Sequence, residues 1–102
     1  MTIDAISLSQ EDNVATAIRD FEKGETVVVS LGDKTKSIKI DQAISYGHKF
    51  ALKRIKTGEA ILKYGETIGR ATEDIITGRH AHVHNIESLR GRGDVSTKGI
   101  KK

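Results

Sequence analysis

ISYGHKFALKRIKTGEAILK, residues 44–63, contains one short pattern twice. An apolar residue, Ile44 or Ile55, is followed three positions later by a glycine, Gly47 or Gly58, and then by a segment able to run extended. Working outward, FEKGETVVV (21–29) and IITGRHAHV (75–83) repeat the pattern. Its physical reading is an apolar anchor, a tight turn whose glycine takes φ > 0 without steric cost, and an extended segment. Four such units predict a compact, mostly β domain of short strands. The chain has no proline, so its chain reversals fall to Gly, Asn and Asp.

Between the first two units, GETVVVSLGDKTKSIKI (24–40) carries a β-branched run, a turn signal at Gly32-Asp33 and alternation through Ile38 and Ile40. This predicts a hairpin or two adjacent strands. Upstream the period changes. In SQEDNVATAIRDF, Ser9 or Asp12 stands where an N-cap would, and Val14, Ala17, Ile18 and Phe21 recur at helical spacing. One short helix is expected there, over about residues 12–20.

With 102 residues, the chain is long enough for one small domain, which buries roughly 65% of its unfolded surface. Apolar residues make up 36% and aromatics 4%, with no Trp, so a thin core of Ile, Val, Leu and Ala is expected. No Cys occurs, which excludes disulfides, thiolate metal sites and a cysteine nucleophile. A reducing compartment, the cytoplasm, is the expected address. No basic-then-apolar leader opens the chain and no run of 18 apolar residues occurs, so neither secretion nor a membrane partner is expected. The net charge of +3, from 17 basic and 14 acidic residues, favours anionic ligands. Nucleic acid is not an expected partner, because the basic residues are spread out and the aromatics are scattered.

HAHVHN, residues 80–85, holds three of the four histidines. Read as a strand, it puts His80, His82 and His84 on one face. Neighbouring imidazoles would then be about 7 Å apart, within reach of one metal ion, whereas His80 and His84, at about 13 Å, would not share it unless the strand curls. A third ligand would come from elsewhere, such as His48, or from another chain. Substrate binding, general acid–base work and a plain polar stripe facing solvent remain open beside metal binding. In YGHKFALKRI, Gly47 makes a turn that presents His48 and Lys49 at a strand start. Lys would supply charge to a carboxylate and His a proton or hydrogen bond, although two exposed polar residues at a loop end would look the same.

Other stretches carry less. KYGETIGRATEDI has Gly65 and Gly69 but no phosphate-loop signature, so both read as turn glycines. Glu73 and Asp74 are adjacent and would point apart on a strand. No nucleophile-elbow motif is present. Residues 90–102, with five basic side chains and three glycines, are expected to form a flexible basic tail after a domain at 1–89. Arg92-Gly93-Asp94 is read as a chance match to an adhesion tripeptide.

DNVATAIRDF (12–21), GHKFALKRIKTGEAILKYGETIGRATEDIITG (47–78) and HAHVHN (80–85) together resemble the small N-terminal domain of altronate and galactarate dehydratases, over about residues 11–89. That domain is a SAF-type module of the β-clip fold. The resemblance implies a module fused to a large catalytic domain or supplied as a separate small subunit, and the stop soon after ESLRGRG favours the latter. It implies a large catalytic partner, an anionic sugar-acid substrate, and a divalent metal, Fe2+ or Mn2+, in the assembled enzyme. The histidine stretch ending in Asn85 is similar to the altronate type and to the small subunit of sulfolactate sulfo-lyase, whereas galactarate enzymes generally lack it. By the same resemblance His48, Lys49 and Asn85 would bind substrate. His48, His82 and His84 would take catalytic roles, and two of His80, His82 and His84 would meet a metal. Two other classes remain: a self-sufficient acid- or metal-binding module, and an assembly module that forms homo-oligomers.

Overall fold

The computed structural model describes residues 2–88. The expected tail and its Arg92-Gly93-Asp94 lie outside the described residues. Among the described residues there are eight strands, β1 (Ala5–Ser7), β2 (Val14–Ala17), β3 (Thr26–Leu31), β4 (Thr35–Lys39), β5 (Lys49–Ala51), β6 (Ala60–Lys63), β7 (Glu66–Ala71) and β8 (Ile86–Ser88). They make a five-stranded sheet in the order β4-β3-β1-β2-β5 and a three-stranded sheet β6-β7-β8. Among the described residues, only β1 and β3 pair in parallel. The mostly β expectation holds, and the hairpin expected around Gly32 is β3–β4.

The four repeated units give the molecule its frame. In each, the glycine sits at positive φ, from 83° at Gly47 to 94° at Gly24. The residue after each glycine donates its N–H to a carbonyl three residues back, as in Glu25 to Glu22 and Glu59 to Lys56. With φ > 0 only at the third turn position, these are type II turns, the geometry that favours glycine there. The anchors then meet in pairs. Phe21 and Ile44 exchange both backbone hydrogen bonds, and so do Ile55 and Ile75. The four units are therefore two halves of one pseudo-symmetric design, each a turn, a hairpin, an anchor and a second turn.

No helix occurs among the described residues, which corrects the expectation for 12–20. That stretch is β2, paired with β1 on one side and β5 on the other. The strand is buried on both faces, so the alternation that marks a half-exposed strand is missing and the apolar spacing mimics a helix. The supposed cap serves elsewhere. Asp12 accepts the N–H groups of Tyr64 and Gly65 at 2.7 and 2.8 Å, while Asn13 bonds Leu62 N–H and Ala60 C=O. Both side chains close the β6–β7 hairpin instead of starting a helix.

Two-sided burial also divides the core. Ala15, Ala17 and Phe50 face a cluster with Phe21, Val27, Val29, Ile38, Ile40 and Ile44. Val14 and Ala51, on the opposite face of the same strands, join Ile55, Ile61, Ala71, Ile75 and Ala81. Small residues on β2 and β5 let two thin clusters share one pair of strands. Phe21 and Phe50 meet edge to face at 5.5 Å, and full burial of each contributes about 1.5–3 kcal/mol.

Candidate functional site

The second turn of each half leads into the site. Gly47 is followed by His48 and Lys49, and Gly78 by Arg79 and His80. Backbone bonds from Ala51 N–H to Arg79 C=O and from Ala81 N–H to Lys49 C=O align these two segments side by side. His48 and His80, 32 residues apart in sequence, thereby come into contact: His48 Nδ1 and His80 Nε2 lie 2.9 Å apart, an N–H···N hydrogen bond. The His82 ring stacks on His48 with centroids 4.2 Å apart and planes 13° from parallel.

HAHVHN is not a strand. His80 makes a single bridge to Phe50, residues 83–85 turn, and β8 begins at Ile86. Asn85 drives the turn: its side chain accepts His82 N–H at 2.9 Å and donates to His80 C=O at 2.8 Å, and its own N–H bonds His82 C=O. Asn85 is buried, so its side chain meets the backbone of the histidine segment. The curl leaves His84 exposed, with its ring 5.0 Å from that of His80. Imidazoles expected to stand in a row are gathered instead around His80.

One nitrogen from each of His48, His80 and His82 falls in a set whose members all lie within 4.8 Å of one another. His82 Nδ1 is buried with no hydrogen-bond partner among the described residues. Burial, and then the charges of His84, His48, His82 and Lys49, push His80 down to about 4. Burial, followed by Lys49, lowers His82 as well. Neutral imidazole is the ligand form, and imidazole donors suit iron(II), zinc, copper or nickel better than manganese, which prefers oxygen. In donor type and proximity the three residues thus suit a divalent transition metal, which their stacked rings would turn to meet.

Beside the cluster, His82 and Lys49 open onto a pocket of about 380 Å³. Its other side is the β6–β7 hairpin with Lys63, Tyr64, Glu66 and Ile68, and Val83, Ile86 and Ser88 complete it. Lys49 is half-buried; burial and then the nearby Lys63 charge lower its pKa. The hairpin half of this pocket has no counterpart in the sequence reading. Lys63 reaches the same pocket as Lys49 on a hairpin that Asp12 and Asn13 tie to β2, and linear spacing carries no sign of that.

Residues 3–89 match the family described as the altronate/galactarate dehydratase SAF domain. The chain belongs to that family. The SAF domain resembles the altronate dehydratase of Bacillus subtilis, at 43% identity over 81% of this chain and 16% of that protein. It also resembles the altronate dehydratase of Escherichia coli, at 40% identity over 78% of this chain and 15% of that protein. The chain therefore spans about a sixth of the length of those relatives. A third relative, (2R)-sulfolactate sulfo-lyase subunit alpha of Chromohalobacter salexigens, is 32% identical over 88% of this chain and 99% of its own length. By name these relatives are dehydratases and a sulfo-lyase subunit, and the match falls on a small part of a long chain in the former and on a subunit of this chain's size in the latter.

Proposed function

We propose that this SAF domain is the small component of a sugar-acid hydro-lyase of the altronate dehydratase type, inactive alone and completed by a large catalytic component in the cytoplasm. The observation that carries the reading is the junction of the histidine cluster with Lys49 on a frame shared with altronate dehydratases. In such an elimination a proton leaves the carbon beside a carboxylate and water leaves the next carbon. The Lys49 ammonium supplies charge for the carboxylate, and a half-buried position makes that charge more effective than it would be in water. His48 binds the same carboxylate or passes a proton. His82, lining the pocket in neutral form, accepts or returns a proton at a ring nitrogen. His84, exposed on the same turn, would meet the large component or the substrate from outside. Asn85 acts through the turn it holds.

Where a divalent metal is bound instead, His48, His80 and His82 would hold it, Fe2+ rather than Mn2+ by the character of the donors; when bound it supplies Lewis acidity toward the departing oxygen, and proton transfer then falls to groups other than its ligands. The test is to express the chain with the large component of its own source and assay altronate dehydration. Turnover that requires both supports the reading, with His82→Ala expected to lower kcat by 100-fold or more. Full turnover by the large component alone would refute it.

A second reading, the alpha subunit of a sulfolactate sulfo-lyase, is favoured by the match over 99% of such a subunit. Sulfite release from sulfolactate by the same complex, without altronate turnover, would select it. A stand-alone acid-binding or homo-oligomeric assembly module would instead give no turnover with any partner.

A further inference from the structure

We infer that Lys63 is a second substrate-binding residue, forming with Lys49 a two-ammonium clamp for a carboxylate in the pocket between the β6–β7 hairpin and the histidine turn. The inference rests on the acid-binding part of the proposed function and adds a residue and a location to it. Both lysines line the same concavity, yet neither makes an ion pair among the described residues. Two like charges converging on a partly apolar wall repel each other and lose hydration, so the arrangement is stabilised by an anion placed between them. Glu66 also lines the pocket, which leaves one surplus positive charge, enough for one carboxylate.

The hairpin tip is built to hold this position. Tyr64 and Gly65 both take positive φ, 54° and 78°, the two-residue turn that matches the twist of β6 and β7 and holds the adjacent Lys63 at the pocket. The Asp12 carboxylate fixes it through the Tyr64 and Gly65 N–H groups. The Lys63 ammonium lies 5.0 Å from the centre of the Tyr64 ring, a cation–π contact that steadies it at the pocket. About 380 Å³ accommodates a hydroxy acid of a few carbons, within the roughly 300–1,000 Å³ range of small-ligand sites.

The experiment is a two-dimensional NMR titration of the full chain, isotopically labelled, with altronate and with the neutral polyol altritol. Saturable shifts at Lys49, Lys63, Tyr64 and Ile86 are expected with altronate and none with altritol. Lys63→Met should weaken altronate binding about tenfold, Lys63→Arg should retain most of it, and Lys34→Met, on the distant β3–β4 turn, should change nothing. The unliganded spectrum of Lys63→Met reports whether the variant is folded. Absence of altronate shifts in the parent chain, undiminished binding by folded Lys63→Met, or equal binding of altritol would overturn the clamp. No partner or turnover enters this titration, so its failure is separate from failure of the lyase assay.

Discussion

Tyr64 occupies a conformation that costs a residue with a side chain about 1–2 kcal/mol, and Asp12 is what holds it there. Asp12 is 2% exposed, and each of its oxygens accepts a backbone N–H while Ser7 Oγ donates a further bond at 2.7 Å. Burial opposes its ionisation, but the donors of Gly65, Ser7, Tyr64 and Ser9 together outweigh burial and hold the carboxyl below its usual range. Asp12→Ala would strand these donors, so a loss of about 2–4 kcal/mol is expected in urea unfolding, far more than at an exposed acid such as Asp33. Tyr64→Asn should act in the opposite direction. Asn tolerates the left-handed region, and a gain of about 0.5–1 kcal/mol is expected by the same measurement. Asn85→Ala releases the turn that holds His80 and His82. Under the proposed metal role of His48, His80 and His82, it should lower Fe2+ affinity at least tenfold in calorimetry of the full chain, acting through the turn alone.

At the scale of elements, the four-unit pattern made the β architecture legible, because each unit carries its own turn glycine and each glycine does adopt positive φ. What the pattern hid is which unit pairs with which. The clue lies in the turn residues: FEKGETVVV and IKTGEAILK share Gly-Glu and lead into long hairpins, while ISYGHKFAL and IITGRHAHV carry His and lead into the site. His48, His80 and His82 were legible as candidates, but their meeting depends on long-range pairing of β5 with residues 79–81. β2 was read as a helix because burial on two faces erases its period, and Lys63 was missed because its partner is 14 residues away across the pocket. Equivalent turn positions are also not equally demanding. A Cβ at Gly24 meets nothing within 4 Å, whereas one at Gly78 would fall on the Lys39 carbonyl oxygen, against the backbone of Asp41. Gly24→Ala should therefore cost about 1–2 kcal/mol, for its dihedral alone. Gly78→Ala should cost more than about 4 kcal/mol or prevent folding, because backbone and not a mobile side chain blocks it. Equal thermal melting points for the two variants would contradict this account of how the halves are clamped.

For the molecule as a whole, the same groups that organise the site and its support make stability depend on acidity in two stages. His80 titrates at about 4 in the fold against an ordinary value of 6.5. As pH falls from 6.5 toward 4 the unfolded chain takes up a proton that the folded chain refuses, so stability declines across this window and then levels off. The carboxyls of Asp4 and Asp12 act in the same sense in a lower window. Asp4 is held low chiefly by the Val28 N–H, with burial opposing and Arg19 assisting, and Asp12 by the donors at the hairpin tip. Their stabilising contribution is complete above the ordinary Asp value of 3.8 and is lost as pH falls through their lower folded values. Thermal melts of the full chain with chelator present, so that no metal competes for the imidazoles, should show both declines. His80→Gln should flatten the upper stage and leave the lower one, while Asp4→Asn should weaken the lower stage alone. A midpoint that stays level from pH 7 to 4 would mean that the histidine cluster takes up its protons in the folded state as readily as in the unfolded chain. The crowding of imidazoles around His80 would then carry no cost to the fold.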